Sequence, residues 1–401
     1  MTGVVGNGGW MSAISTNLSY VGVRGFQTPS ESSLKFLYQL ETQIDVSATS
    51  GVAATNSNSS NVVKGGLTSR NSFIGIGSDA MGASKIGKTD APYKTSTARM
   101  NPFNGMLGDY SVVMGNTGGD NRVEFGTRLD HAIWYESPDM GGFSFNALVS
   151  SGQNRGYDNS NLAAGESDCA GGNVPGSGGL PVACNDGAYG NAYSANIAYF
   201  NGPIYVTAAY EKHKGVNRTS DLATYDPNAV ADEDAAKIGV QYKLASKTTV
   251  NAVYEKMKRY VPSSLAFQDE RTRSGYWFAL SQELSPKDNL HLGWAHANRA
   301  TGDPWQHNTS GGLNSDNAAN MYTVAWKHQV DKNLSTYVNY ALTANHSSAH
   351  YDLGAGGRGV TTDCHDASNP DTSGFDPNGG APRCFAGGRL QGVSAGIKYI
   401  F

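Results

Sequence analysis

No run of apolar residues in the 401-residue sequence reaches the roughly 18 that a membrane-spanning α-helix requires, so helical spans are excluded. Charged residues are also sparse, at 16% of the chain, and the formal net charge is −4. A balance so close to neutral, without a basic run, argues against nucleic-acid binding. If the chain is exported, we expect this sequence to be a mature form, because residues 1–5 lack the basic region and apolar run of a signal peptide.

Constellations of catalytic residues are missing as well. We find no clustered nucleophile and base, and the nine histidines are scattered along the chain. We interpret His291 and His296 as strand or rim residues. The sequence therefore predicts no enzyme, no metal site and no cofactor.

Cysteine is rare, and its four copies form two local pairs, Cys169 with Cys184 and Cys364 with Cys384. Each pair encloses a segment rich in Gly, Pro, Asn and Asp. This spacing predicts two disulfides that close loops in an oxidising compartment. Each would lower the conformational entropy of the unfolded chain and so stabilise the fold by about 3 kcal/mol. A zinc site is the alternative, but the sequence has no CxxC.

The abundant residues favour β-structure with little apolar core. Glycine occurs 50 times and tyrosine 21 times, while hydrophobic residues make up only 39% of the chain. A soluble protein of this length normally has a more apolar interior. A membrane barrel is apolar only in a thin outer band, which fits these numbers.

Segments with a two-residue period recur along the chain. In the last of them, alternate residues from Val393 to Phe401 are apolar, and Ser394, Gly396 and Lys398 lie between them. This is the period of a strand with one apolar face. Similar segments are found at residues 34–46, 69–79, 189–200, 203–214, 236–244, 247–258, 274–284, 288–298, 320–330 and 333–345.

The connections between these segments alternate strictly between short and long. Short turns rich in Gly, Pro, Asn and Asp are predicted at residues 28–30, 78–80, 138–140, 201–203, 245–247, 285–287 and 331–333. Long polar loops are predicted at residues 47–68, 90–121, 152–188, 215–233, 259–271, 299–317 and 346–387. An outer-membrane barrel has this arrangement, with short periplasmic turns at one rim and long external loops at the other.

The alternation predicts one all-β domain over residues 1–401, a 16-stranded antiparallel transmembrane β-barrel. Residues 2–11 are needed as a first strand to make the count even. A barrel of this size leaves an aqueous lumen. The alternative is a soluble all-β protein, which would not require the alternation.

Five stretches carry a resemblance to a known family. Residues 69–77 and 85–93 resemble the strand-turn-strand that leads into the constriction loop of general diffusion porins, and residues 128–138 resemble the strand after that loop. Residues 20–25 and 34–41 resemble the second and third strands. The chain thus resembles the Gram-negative general diffusion porins, in particular those of β-proteobacteria.

This resemblance implies a homotrimer in the outer membrane of a Gram-negative bacterium, each subunit forming a passive, water-filled channel for ions and small hydrophilic solutes. The third external loop, about residues 90–121, would fold inward. Lipopolysaccharide, outer-membrane lipid and the barrel assembly machinery are the implied partners. Ile397, Tyr399 and Phe401 resemble the assembly signal of such barrels.

Fixed charges across a narrow wet constriction sort hydrated solutes. Strand parity directs Arg24 and Lys35 to the lumen, and the resemblance implies inward arginines at Arg70 and Arg128. These four form the predicted basic wall. The alternative for each arginine is an ion pair that only supports the barrel.

The third loop supplies the facing charges. Asp90 and Asp109 are the acidic candidates for the pore edge, while Lys94 and Arg99 weaken the acidic character of the loop. We therefore expect a mild anion preference. The alternatives are a substrate-specific porin for small anions, or an adhesive or structural role through the long loops.

One acidic cluster lies outside this constriction. We interpret Asp232, Glu233 and Asp234 as part of a solvated external loop. The alternative is a divalent-cation site at the lipopolysaccharide surface.

Overall fold

A computed structural model describes most of the predicted strands. The described residues are 2–4, 10–11, 14–30, 32–44, 70–115, 125–151, 189–217, 230–260, 272–300, 316–347, 349, 351, 353 and 388–401. Within them, no helix is long and apolar enough to cross a membrane.

The strands, in chain order, are β1 Thr2–Val4, β2 Trp10–Met11, β3 Tyr20–Gln27, β4 Lys35–Gln43, β5 Ser72–Ser78, β6 Gly82–Asp90, β7 Arg128–Glu136, β8 Phe143–Ser150, β9 Ala192–Asn201, β10 Ile204–Asn217, β11 Val230–Lys243, β12 Thr248–Tyr260, β13 Arg273–Glu283, β14 Asp288–Ala297, β15 Ala319–Gln329, β16 Leu334–Asn345 and β17 Arg389–Tyr399. Between β6 and β7 lie helix α1 Pro92–Ser96, a 3₁₀ turn Ala98–Met100 and helix α2 Ser111–Met114.

All these strands belong to one antiparallel sheet. From β3 to β17, each strand pairs with its neighbours in sequence, and β17 also pairs with β1. The sequence-predicted meander of fifteen strands after residue 16 is therefore confirmed, and each of the seven predicted short turns joins two of these strands.

Two boundaries differ from the sequence prediction. Residues 2–11 contain two short strands that pair with each other, Thr2 opposite Met11, instead of one long strand. Four glycines in this stretch supply no side chains to hold a long strand. The loop predicted at residues 215–233 is shorter, because β10 continues to Asn217 and β11 starts at Val230.

One face of the sheet is apolar and exposed. The register places Tyr38 opposite Ile74, Ile74 opposite Ile86, and Ile86 opposite Ile133. The three isoleucines are 64%, 51% and 60% exposed, respectively. A soluble β-protein would bury such a row, whereas lipid covers it in a membrane. We call this face the apolar face and the other the polar face.

The polar face carries small and polar side chains that are nevertheless buried. They include Ser150, Ser194, Thr207, Asn251, Thr323 and Asn339. Of these, Ser194, Thr323 and Asn339 form hydrogen bonds with the segment between β6 and β7. We call residues 91–115 the crossing segment.

The largest buried cluster lies between the crossing segment and the polar face. Met100, Phe103 and Met114 of the segment share it with Trp277 of β13. The Phe103 ring lies edge-on to Trp277, with centroids 5.8 Å apart, and Tyr110 stacks on the same indole at 4.9 Å. The core of this molecule is therefore formed between a connection and the inside of the sheet.

Candidate functional site

Side chains from distant parts of the sheet donate hydrogen bonds to backbone carbonyls of the crossing segment. Tyr205 of β10 donates from its hydroxyl to the Ser96 carbonyl at 2.7 Å. At the other side, Asn339 of β16 donates to the Leu107 carbonyl at 2.8 Å, and Asn17 before β3 donates to the Gly105 carbonyl at 2.7 Å. One short segment thus contacts β10, β16 and the chain just before β3, so the sheet must curve around it.

A buried polar cluster holds the beginning of the segment. The Tyr93 hydroxyl donates to Glu255 Oε2 at 2.5 Å, and Lys237 Nζ donates to Thr97 Oγ1 at 2.9 Å. The Lys237 ammonium also lies 4.0 Å from the Tyr93 ring centroid. Burial, and next the charge of Glu255, raise the pKa of Tyr93, so its phenol remains a donor.

A second cluster holds the chain where it returns to β7. The Gly126 amide donates to Glu211 Oε1 at 3.1 Å. His213, two residues along β10, also contacts this oxygen at 3.1 Å, and its ring stacks between Phe125 and Tyr189. Both ends of the connection between β6 and β7 are thus bonded to the polar face of the sheet.

Asp109, predicted at the pore edge, is buried instead. Its Oδ1 accepts hydrogen bonds from Asn101 Nδ2 at 2.8 Å, from the Ser111 hydroxyl at 2.8 Å and from the Ser111 amide at 3.1 Å. Its Oδ2 lies 3.4 Å from the Gly105 amide, which donates to it. The carboxylate therefore organises the turn within the segment and presents no exposed charge.

Two of the four predicted wall residues lie together at the long-loop end of β4–β7. Arg128 Nη2 forms an ion pair with Asp90 at 3.1 Å, and Arg70 Nε lies 3.7 Å from Glu41. Burial, and next the positive charge of Arg128, lower the pKa of Arg70. Asn71, the residue after Arg70, accepts a hydrogen bond from Arg128 Nε at 2.6 Å and so links the two arginines. This cluster is largely neutralised internally.

The other two predicted wall residues lie nearer the short-turn end. Arg24 is exposed on the polar face of β3, and no ion pair involves it among the described residues. Lys35 forms an ion pair with Asp79 in the turn between β5 and β6, at 2.6 Å. The four basic residues therefore do not form one cluster, and Arg24 alone is free of a described carboxylate.

The basic residues of the crossing segment also differ from each other. Lys94 pairs with Asp90 at 2.8 Å. The Arg99 guanidinium is exposed and lies over the rings of Phe200 and Tyr205, at 4.5 and 4.4 Å from their centroids. Of the two basic residues of the segment, Arg99 is the one without an ion-pair partner among the described residues.

A family model for Gram-negative porins matches residues 5–348 of this chain. The chain belongs to the Gram-negative porin family. It is therefore an outer-membrane diffusion channel of a Gram-negative bacterium, and the family and fold indicate a channel rather than an enzyme. A search of curated protein sequences gives no match.

Solved porins share the fold of this one. An anion-selective porin from Comamonas acidovorans is 16% identical, with a TM-score of 0.63, covering 96% of this chain and 89% of that one. OmpF of Salmonella typhi, in complex with daunomycin, is 14% identical, with a TM-score of 0.54, covering 94% and 89%. The trimer form of Vibrio cholerae OmpT is 12% identical, with a TM-score of 0.53, covering 100% and 95%.

Sequence reasoning misplaced the acidic cluster of the porin. Glu233 lies in β11 and forms an ion pair with Arg259 Nη1 at 2.5 Å, both side chains being buried. Asp232 pairs with Lys212 and Lys214, and Asp234 accepts from two tyrosine hydroxyls. These carboxylates thus have strand partners, and no metal-binding group is found in the part of the chain that the structure describes.

Two stretches of the porin match enzyme motifs by their letters alone. Residues 82–89 fit the phosphate-binding pattern GxxxxGKT, and residues 392–396 fit GxSxG. Neither has the backbone that its motif requires, a loop or sharp turn leading into a helix. The first lies in β6, with Lys88 paired to Asp130 at 2.8 Å, and the second lies in β17.

The remaining predicted residues divide into two groups. Ile397 and Tyr399 lie on the apolar face, and these residues and the terminal Phe401 are 75%, 61% and 90% exposed, respectively. The four cysteines, and with them the two predicted disulfides, lie outside the described residues.

Proposed function

We propose that each subunit is a closed 16-stranded barrel in which residues 90–121 form the third external loop, folded inward to narrow a water-filled channel. The observation that carries this proposal is the set of contacts between the crossing segment and the polar face, from Ser194 of β9 to Asn339 of β16. A loop fixed at this position restricts the lumen. Ions and small hydrophilic solutes pass through the space that remains.

The assembly proposed is a homotrimer. A trimer form is described for Vibrio cholerae OmpT, whose fold this chain shares. The exposed apolar side chains of β17 and the terminal Phe401 support recognition by the barrel assembly machinery, and lipopolysaccharide and lipid would cover the rest of the apolar face.

We propose a mild anion preference. The carboxylates Glu41 and Asp90 face basic partners, and Asp109 is buried, so these three described acids leave no unpaired negative charge at the constriction. Arg24 and Arg99 leave uncompensated positive charge there. The similar Comamonas porin is described as anion-selective. Because the other wall arginines are neutralised, a general channel is favoured over one in which a row of arginines binds one specific anion.

Neutralising Arg24 should shift the selectivity. We expect Arg24→Gln to move the ratio of chloride to potassium permeability toward one, because it removes the unpaired cation of the wall. Reversal potentials in planar bilayers under a potassium chloride gradient measure this ratio.

The matched control for this variant is Lys258→Gln, which makes the same change in net charge on the opposite, exposed face of β12. It should leave the permeability ratio unchanged. If both variants shift the ratio equally, or neither does, Arg24 does not act in the permeation path.

A further inference from the structure

The chain turns back into the molecule immediately after β16. Asn345, the last residue of β16, donates from Nδ2 to the Tyr351 carbonyl at 3.0 Å and accepts from the Tyr351 amide at 2.8 Å. Ala349, Tyr351 and Leu353 are each 0% exposed. We call these three residues the β16 extension. Their burial, at the start of a long external connection, shows that this connection begins inside the sheet.

The β16 extension contacts the crossing segment through the backbone. The Gly108 amide donates to the Leu353 carbonyl at 2.6 Å. The side chain of Leu353 packs with Leu107 of the same segment and with two wall residues, Ala341 of β16 and Leu390 of β17. The extension thus lies between the wall and the crossing segment and is bonded to both.

Arg273 of β13 joins the two elements a second time. Its Nη2 donates to the Val113 carbonyl at 2.5 Å, and its guanidinium lies 4.9 Å from the ring centroid of Tyr351. Tyr351 also belongs to the buried cluster that contains Val113 and Met114. The first contact, at Gly108, precedes helix α2, and the second, at Val113, lies within it.

We propose that the β16 extension is a positioning element that holds the crossing segment inward, and so sets the free cross-section and the solute size limit of the channel. The Leu353 side chain, packed with Leu107, Ala341 and Leu390, keeps the Leu353 carbonyl where the buried Gly108 amide donates to it, and an amide that loses this acceptor disfavours the position of the segment. Because side chains of the wall hold the segment on its other side, losing the extension would loosen it rather than release it. This proposal rests on the proposed function of the crossing segment.

Truncating the extension tests the proposal in the full-length protein. We expect Leu353→Ala to raise the single-channel conductance by about 1.5-fold or more and to admit larger neutral polymers, because the segment recedes from the lumen. Leu148→Ala is the matched control. Leu148 is nearly as buried, but it lies in β8 in a different cluster, which includes only the first residue of the crossing segment, Ala91, and its loss should leave both readouts unchanged.

A double variant separates positioning from general loosening. If Leu107 and Leu353 act as one unit, Leu107→Ala and Leu353→Ala together should change the conductance no more than either change alone. Additive effects would overturn the proposal.

Hydrogen exchange on the unmodified protein provides a test that needs no variant to fold. We expect peptides containing Gly108 to exchange as slowly as strand peptides, since this amide is bonded to the extension. Rapid exchange there would overturn the inference.

If the wild type conducts but Leu353→Ala behaves like Leu148→Ala, the inference fails while the proposed channel stands. A folded wild type that does not conduct would contradict the proposed function itself.

Discussion

Replacing Arg259 by methionine is expected to lower the free energy of unfolding by about 3–5 kcal/mol. Arg259 and Glu233 face each other on β12 and β11, with Nη1 and Oε1 2.5 Å apart, and the two side chains are 0% and 2% exposed. Removing the guanidinium takes away a positive charge that Glu233 faces in the protein interior, which is far costlier than losing an exposed pair. Unfolding of the protein in lipid vesicles by urea measures the change.

Two further variants identify the cause of this loss. Lys247→Met breaks the ion pair between Lys247 and Glu283, in which the lysine side chain is 60% exposed, and should leave the stability nearly unchanged. Combining Arg259→Met with Glu233→Leu removes both charges and should recover most of the stability. If Arg259→Met costs as little as Lys247→Met, the buried pair does not stabilise this end of the barrel.

A single methyl group at Gly108 is expected to push the crossing segment off the wall, further into the lumen, and to lower the conductance about twofold. Gly108 has a φ of +76°, and a Cβ there would lie 2.0 Å from Thr323 Oγ1 and 2.8 Å from Thr323 Cβ. The buried Thr323 on β15 also donates to the Gly108 carbonyl at 3.1 Å, so the clash and the lost hydrogen bond act together. Single-channel recordings of Gly108→Ala in planar bilayers test this.

Gly126→Ala separates collision from backbone strain. Gly126 has a nearly equal φ of +73°, but the nearest atom to its Cβ would be Tyr93 Cδ1 at 3.5 Å, an ordinary contact. Both substitutions carry a similar cost of about 1–2 kcal/mol for the left-handed backbone, and only Gly108→Ala adds the clash. Equal conductance in the two variants would show that the contact with Thr323 does not hold the segment.

The strands and short turns could be predicted because each follows from local chemistry. A strand in contact with lipid is apolar at every second residue, and the alternation of Val250, Ala252 and Tyr254 on one face of β12 is an example. Turn residues such as Asn201 and Gly202 mark the reversals between strands. The crossing segment was recognisable by resemblance to porins, because no local rule directs a polar loop inward.

What could not be predicted depends on partners distant in sequence. Asp109 lies in a polar loop, where an acidic residue is expected to face the pore, but the hydrogen bonds of its own turn bury the carboxylate. Glu233 lies in a run that reads as a solvated loop, and only its pairing with Arg259, across a hairpin between β11 and β12, makes it a strand residue. In the same way, nothing near Leu353 in the sequence indicates burial, because its partner Gly108 is distant in the chain.

Single-channel recording of the detergent-purified protein in planar bilayers, with the reversal potential measured under a salt gradient, tests the channel function most directly. We expect stepwise insertions, each closing in up to three equal sublevels, with a weak anion preference. A protein that is demonstrably folded as a barrel but shows no conductance would contradict the channel function.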